Sequence, residues 1–269
     1  MIGAPGRLLV VSPHQILMTA QLRELALGRP LELGPYSLRT EELPAQHMPV
    51  RRRHGCLDLT HGRILLREGL QPAPWRRAFV HALVRLVHYA QAVLLHESTE
   101  EHLTHSLASG LSQLARRNPE LTWALLRAIN PHVRHSRRMP QRLVLGTQAW
   151  TVRSLPVKTA ARLRVFGQAD LERRRIELDP ALSGTQLAVI FLHECIHGLH
   201  HECGVTDQTS LRIAHSREAD ALTHFWGSNP QAAGWWFGLL QPIGQVYEPN
   251  AVALRQNGSL SRLPARVQR

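Results

Sequence analysis

The chain of 269 residues contains little cysteine and no long apolar segment. Its three cysteines are Cys56, Cys195 and Cys203, an odd and sparse set that excludes a disulfide-stabilised scaffold and indicates a reducing compartment. The longest apolar runs, such as 187–192, are far shorter than the roughly 18 to 20 residues of a membrane helix. The N-terminus also lacks the apolar core of a signal peptide. We therefore expect a cytoplasmic protein with no membrane contact.

Lysine and acidic residues are also scarce. Lys158 is the single lysine, so the 32 basic residues are otherwise arginines, and they exceed the 20 acidic residues to give a net charge of +12. Guanidinium groups bind phosphate and carboxylate groups well, so the sequence allows a polyanion or nucleic acid as a partner. The arginines are scattered rather than interleaved with aromatic residues, and such scatter is also typical of a biased composition.

An internal duplication organises the chain. When the sequence is shifted by 112 positions, residues 31–81 align with 143–193 without a gap. The matched positions include less common residue types as well as leucine, which favours two copies of one unit over coincidence. The informative pairs are Gly34/Gly146, Pro44/Pro156, Gly55/Gly167, Asp58/Asp170, Ile64/Ile176, Phe79/Phe191 and His81/His193, and Asn118-Pro119 is followed later by Asn229-Pro230.

Each copy is expected to contain a short strand with a turn glycine, a two-stranded hairpin and then helices. We predict strands at 163–166 and 175–178 and helices at 183–202, 210–226 and from 230 onwards in the second copy, and helices at 73–95, 99–116 and 119–130 in the first. Gly204 is the expected stop of the helix at 183–202. The predicted organisation is an extension at 1–30 with a strand at 8–11 and a helix at 14–27, a first copy at 31–138, a second copy at 139–249 and a tail at 250–269.

The second copy contains the sequence HECIH at 193–197, which has the HExxH pattern. Residues four positions apart lie on one face of a helix, so His193 and His197 can direct imidazole nitrogens at one metal ion, and zinc suits such ligands. Glu194 can then act as general base toward a water molecule that zinc activates. The chain has 17 histidines, but the position of the motif on a helix after a hairpin favours a metal site over a chance match.

Three segments of the second copy, FGQAD at 166–170, RIELDP at 175–180 and FLHECIHG at 191–198, resemble a known family. They are similar to the small HExxH zinc peptidases of phages and mobile elements, which are related to the ImmA/IrrE group. The resemblance covers about 143–240 and, more faintly, 31–130. It implies a gluzincin-type fold, in which the HExxH helix packs beside a small sheet and a later helix supplies an acidic third ligand. It also implies that His193 and His197 bind zinc and that Glu194 is the catalytic base.

The third ligand departs from the pattern of that family. The family's register places Ser216 at the ligand position, four residues before Asp220. Glu218 is the preferred alternative because of its ligand type, although His215 lies nearer in register and Glu218 also fits a solvated helix face. Asp220 is a candidate to orient a ligating histidine. The pair His200-His201 has the wrong spacing for a three-histidine motif, and we expect it at the surface or the rim of the pocket.

The first copy has lost the HExxH chemistry. It reads His81, Ala82 and Arg85 where the second copy has its two histidines and its glutamate, and arginine cannot bind zinc. We expect this copy to be a structural partner that packs on the second as a pseudo-dimer. It keeps Glu101, which could complete the site of the second copy across their interface and so explain Ser216.

The sequence thus predicts an α+β protein built from two tandem gluzincin-like units, the first of them degenerate. The expected activity is hydrolysis of a peptide or protein substrate by zinc-activated water, with His193, His197 and Glu218 as ligands and Glu194 as base. The alternative is a non-catalytic binding, regulatory or structural protein that keeps the fold, phage-encoded or associated with nucleic acid through its arginines.

Overall fold

A computed structural model describes residues 13–50, 53–91, 99–163 and 165–241. The predicted strand at 8–11 and the predicted tail at 250–269 lie outside the described residues. Within the described residues the helices are α1 Pro13–Gly28, α2 Pro72–Ala90, α3 Glu100–Arg117, α4 Pro119–Ile129, α5 Val157–Leu163, α6 Gly184–Cys203, α7 Leu211–Ser228 and α8 Pro230–Leu239. The strands are β1 Leu31–Leu33, β2 Tyr36–Leu43, β3 Gly55–Asp58, β4 Arg63–Arg67, β5 Arg142–Leu145, β6 Gln148–Ser154, β7 Gly167–Asp170 and β8 Arg175–Leu178. The predicted α+β class is confirmed.

The strands form two small mixed sheets with the same topology. The first has the order β1-β2-β4-β3 and the second the order β5-β6-β8-β7. In each sheet the inner pair is parallel and the two outer pairs are antiparallel. The turn between the first two strands of each sheet holds a glycine, Gly34 or Gly146, with φ of 57°, a value that favours glycine. We call 31–129 the first unit and 142–239 the second unit.

Two asparagines at matching positions fasten the helices of each unit to its sheet. The side-chain amide of Asn118 donates to the carbonyl oxygens of Glu32 (2.7 Å) and Leu114 (2.9 Å) and accepts from the Glu32 amide (2.9 Å). Asn229 makes the same three bonds, with distances of 2.8, 2.8 and 2.7 Å, to Val144 and Phe225. The Asn-Pro match in the sequence therefore corresponds to one repeated structural joint.

The four long helices pack together, and each also contacts the sheet of its own unit. Helix α3 lies against α2 of its own unit and against α6 of the second unit, and α7 lies against α6 and against α2 of the first unit. Phe79 on α2 and Phe191 on α6, which occupy matching positions, are both fully buried and belong to one hydrophobic core that spans both units. The crossing places the N-terminus of α3 beside the HExxH helix.

The structure differs from the sequence predictions in the second sheet. In the segment predicted as a strand at 163–166, Leu163 instead ends α5 and residues 165–166 precede β7, because the Pro156 carbonyl accepts the amides of Thr159 and Ala160 and starts a helical turn. The side chain of Phe166 is accordingly 53% exposed. Strands β2 and β6 were not predicted separately, because their many polar residues do not give a clear strand pattern. Pairing with β4 and β8 stabilises them.

The HExxH helix matches its prediction closely. It runs over Gly184–Cys203, and Gly204 ends it in the left-handed conformation with φ of 69°. No helix in the described ranges is both long and apolar enough to cross a membrane.

Candidate metal centre

Helix α6 brings the two histidines of the motif together. One face of the helix is buried in the core through residues such as Phe191 and Leu199, which leaves His193 and His197 on an adjoining face, with side chains 14% and 20% exposed. Their Nε2 atoms lie 3.0 Å apart. The spacing of four residues therefore brings the two rings together, as the sequence predicted, and both rings face one point.

The third donor is Glu101, which comes from the first unit. Its carboxylate oxygens lie 3.4 Å from His193 Nε2 and 3.1 Å from His197 Nε2. Ligand atoms around a tetrahedral zinc ion lie about 3.3 Å apart when the bonds are about 2.0–2.1 Å long. The two Glu101 oxygens approach this spacing, each to a different histidine, and one ligand atom of each residue lies within 4.8 Å of the others, so Glu101, His193 and His197 can hold a metal ion.

The N-terminus of α3 fixes Glu101 at this place. The Thr99 side chain caps the helix by accepting the amide of His102 at 3.1 Å, and Asp207 of the second unit accepts the amide of Glu100 at 2.6 Å. Acidic side chains in the first turn are favoured by the helix dipole. The helix thus begins where its first two glutamates face α6.

Glu100 lies beside the centre and contacts two histidines of α6. Its carboxylate lies 3.1 Å from His197 Nδ1 and 2.6 Å from His200 Nδ1, and it accepts the Thr104 hydroxyl at 2.9 Å. Burial opposes its charge, but the hydrogen bonds from the two histidines hold the pKa of Glu100 well below its usual range. A proton on His197 Nδ1 is therefore directed at Glu100, which leaves Nε2 free to bind a metal.

The structure corrects the choice of Glu218 as the third member of the centre. Glu218 is 1% exposed, and its oxygens lie 3.2 Å from His200 Nε2 and 3.6 Å from His88 Nδ1. His200 is buried as well, not at the surface or rim as predicted, because it bridges Glu100 and Glu218. Burial opposes the charge of His200, but the two carboxylates raise its pKa above the usual range. Glu218 thus contacts His200, which contacts Glu100, so its link to the centre is indirect.

The other candidates near Glu218 also lie outside the trio of donors. His215 stacks on His88 with ring centroids 5.0 Å apart. Asp220, considered as an orienting residue, binds the Arg77 guanidinium through both oxygens at 2.7 and 2.5 Å. Ser216 lies 3.4 Å from His81 Nε2 on the first unit. Ser216 and Asp220 of α7 therefore contact α2 of the first unit, and neither belongs to the trio of donors.

Glu194 lies beside the centre and is buried against β7. A Cβ atom at position 167 would lie 2.9 Å from Glu194 Oε1, so glycine is required there for the carboxylate to fit. Burial, together with repulsion from Glu101, raises the pKa of Glu194 to about 7, although His197 and the Ala169 amide act in the opposite direction. Burial therefore makes Glu194 easier to protonate than an exposed glutamate.

The two histidines of the motif differ in charge preference. Burial and the neighbouring His197 lower the pKa of His193 to about 4. For His197 burial also opposes the charge, but hydrogen bonding and attraction to Glu100 raise its pKa. His193 is therefore a neutral imidazole at pH 7, the form that binds metal.

The sequence interpretation missed Glu100 and ranked Glu101 behind Glu218. A signal was present, since Thr99 followed by two glutamates is typical of a capped helix start with an acidic first turn. The signal could not show which partner this turn faces, because the crossing of α3 onto α6 is a tertiary feature.

Comparison with protein families, with curated proteins and with solved structures finds no significant match to this chain. The resemblance to the phage-type zinc peptidases therefore stays a prediction from the motifs. Function has to be inferred from the geometry of the centre.

Proposed function

We propose that the chain is a zinc-dependent hydrolase of peptide bonds whose metal centre is shared between its two units. The observation that carries this proposal is the spacing of His193, His197 and Glu101, with the buried carboxylate of Glu194 beside them. Two imidazoles and one carboxylate form a ligand set that catalytic zinc sites use, with the fourth position open to water or substrate. The resemblance to gluzincin-type peptidases points in the same direction.

Each residue of the centre has a distinct role in this proposal. A bound zinc ion supplies Lewis acidity, which lowers the pKa of water and polarises a carbonyl group. Glu194 accepts the proton of the attacking water and later delivers it to the departing amine, because its buried carboxylate lies beside the two histidines. Glu100 orients His197 and keeps the proton of that ring away from Nε2.

The neighbouring strand favours a peptide as the substrate. Strand β7 is the last strand of its sheet in the described structure, and its start at Gly167 touches Glu194. An extended peptide can add to such an edge through main-chain hydrogen bonds. A substrate paired with β7 would bring a carbonyl group of its backbone next to the catalytic carboxylate.

Metal analysis and one isosteric variant test the proposal. We expect about one zinc per chain in the purified protein, and its loss in His193→Ala and His197→Ala. Glu194→Gln should keep the zinc but lose hydrolysis of a mixed library of quenched fluorescent peptides. Glu172→Gln, a change at an exposed turn position, is the matched control and should keep both properties.

The same measurements separate the enzyme from a non-catalytic protein. A chain that retains zinc but cleaves no peptide of the library, with wild type and Glu194→Gln alike, would favour a binding or structural role. A chain without metal would contradict the proposal at its first step.

A further inference from the structure

The first unit has a position that corresponds to the metal centre. Helices α2 and α6 align with the offset of 112, so His81, Ala82 and Arg85 match His193, Glu194 and His197. Helix α7 crosses α2 as α3 crosses α6, and it brings Ser216 to within 3.4 Å of His81 Nε2. We call His81, Ala82, Arg85 and Ser216 the inverted site.

The carboxylates of the metal centre are all absent from the inverted site. Ala82 stands where the second unit has Glu194. In the register that the two Asn-Pro joints define, Leu211 and Arg212 stand where α3 has Glu100 and Glu101. Three acidic residues are thus replaced by two neutral residues and one basic residue, while Arg85 replaces a neutral ligand with a permanent cation. The same scaffold that suits a cation in one unit suits an anion in the other.

Arg85 has no compensating carboxylate among the described residues. It is half-buried on α2, and burial, followed by repulsion from Arg53, lowers its pKa. Arg53 and Arg77 also repel a positive charge on His81, as Arg85 does, so three guanidinium groups act on this position. The carboxylate that acts on His81 is Asp220, and it already binds Arg77.

An uncompensated, half-buried guanidinium is costly unless an anion pairs with it. Its planar fork matches the two oxygens of a carboxylate or a phosphate group. We propose that the inverted site binds an oxyanion, with Arg85 and Arg53 holding its charge and with His81 as a hydrogen-bonding neighbour. The site has no counterpart of Glu194, so it binds this group without hydrolysing it.

Titration with two small anions tests the proposal. Inorganic phosphate and acetate are added separately to the full chain at constant ionic strength, with the rise in unfolding temperature as the readout of binding. At least one of them should stabilise the wild type, and Arg85→Gln should weaken this apparent affinity by about tenfold or more, since it removes charge-assisted hydrogen bonds. A response to phosphate alone identifies a phosphate group, and a response to acetate identifies a carboxylate group.

Three further variants keep the outcome interpretable. Arg153→Gln removes an exposed arginine on β6 of the second unit and should leave anion binding unchanged. Arg85→Lys keeps the charge but loses the fork, so it should weaken binding by a smaller factor even if Arg85→Gln fails to fold. His197→Ala removes a ligand of the metal centre and should not change binding, which separates this site from the proposed hydrolase. Stabilisation that persists unchanged in both Arg85 variants, or that neither anion produces, would overturn the proposal.

Discussion

The two units place equivalent residues in opposite electrostatic surroundings. His200 on α6 and His88 on α2 occupy matching positions, and both contact Glu218 of the second unit. The pKa of His200 is raised because Glu100 supplies a second carboxylate against the effect of burial, whereas burial lowers the pKa of His88, which stacks on His215. The first turn of the crossing helix, which is acidic in α3 and not in α7, therefore accounts for this difference in charge between the two units.

The proposed centre also draws on both units. In it the second unit would supply two imidazoles and the base, whereas the third donor and its neighbour Glu100 belong to the first unit. The proposal therefore makes the first unit a contributor of ligands. The predictions below test this division of roles, beginning with the largest expected effect.

Loss of Glu101 should remove the metal from a site in the other unit. We expect Glu101→Ala to lower zinc affinity by more than the roughly 10- to 100-fold that loss of an outer partner causes, because it deletes one of three donors. Competition with a chromophoric chelator measures the affinity. His81→Ala, the counterpart of a metal-binding histidine, should have wild-type affinity. Equal affinity in Glu101→Ala and wild type would show that the donor comes from elsewhere.

Glu100→Gln should weaken the metal centre without abolishing it. The amide can still contact His197 but no longer holds its Nδ1 proton with a full charge, so we expect a loss of roughly 10- to 100-fold in zinc affinity. The same chelator competition gives the value, and circular dichroism checks that the helices persist. Glu68→Gln, an exposed change in the first unit, provides the control. An unaltered affinity would mean that Glu100 only caps α3.

Asn118 and Asn229 should contribute about equally to stability. Each is largely buried and makes three hydrogen bonds at a matching joint. Replacement by alanine leaves backbone groups unsatisfied, and we expect each change to cost about 2 kcal/mol of unfolding free energy. Urea unfolding of the two variants measures this. Costs that differ by more than about 1 kcal/mol would contradict the equivalence of the two joints.

His215 should make the protein less stable in acid. Burial, followed by repulsion from His88 and Arg85, lowers the pKa of His215 to about 3. The unfolded chain binds a proton near pH 6.5, so stability is present above that pH and is lost as the pH falls toward 3. Between pH 7 and pH 5 we expect this residue to account for about 1 to 2 kcal/mol of the loss.

The variant His215→Phe keeps the stack on His88 but does not titrate. Its unfolding free energy should fall less steeply between pH 7 and pH 5 than that of the wild type. His224→Phe, which changes a histidine elsewhere on the same helix, should retain the steep dependence. Parallel curves for His215→Phe and wild type would contradict the assigned pKa shift.

Local patterns in the sequence were sufficient for the parts of the fold that depend on local interactions. The HExxH helix and its stop at Gly204 were predicted to within about one residue, because an apolar stripe and a glycine in the left-handed region are local signals. The prediction of a strand at 163–166 was wrong, because Pro156 starts helix α5, which extends to Leu163. Strand β2 was not predicted because its stability comes from parallel pairing with β4 and not from its own residues.

The candidate site likewise has residues that local patterns predict and residues that tertiary packing brings in. His193, His197 and Glu194 follow from one turn of helix. Glu101 could be named only as an alternative, and Glu100 not at all, because their place depends on which helix of the other unit α3 packs against. Sequence spacing determines neighbours along one helix but not the partner across a core.

Helix α3 packs on α6 of the second unit, and helix α7 packs on α2 of the first. This exchange of helices affects how the chain could be divided. The link at 130–141 joins the two units and also packs on them, since Val133 is fully buried in the shared core and His135 stacks on Trp123. Cleavage there would leave two fragments, and each would expose the apolar face that the other covers. The fragments should therefore stay associated.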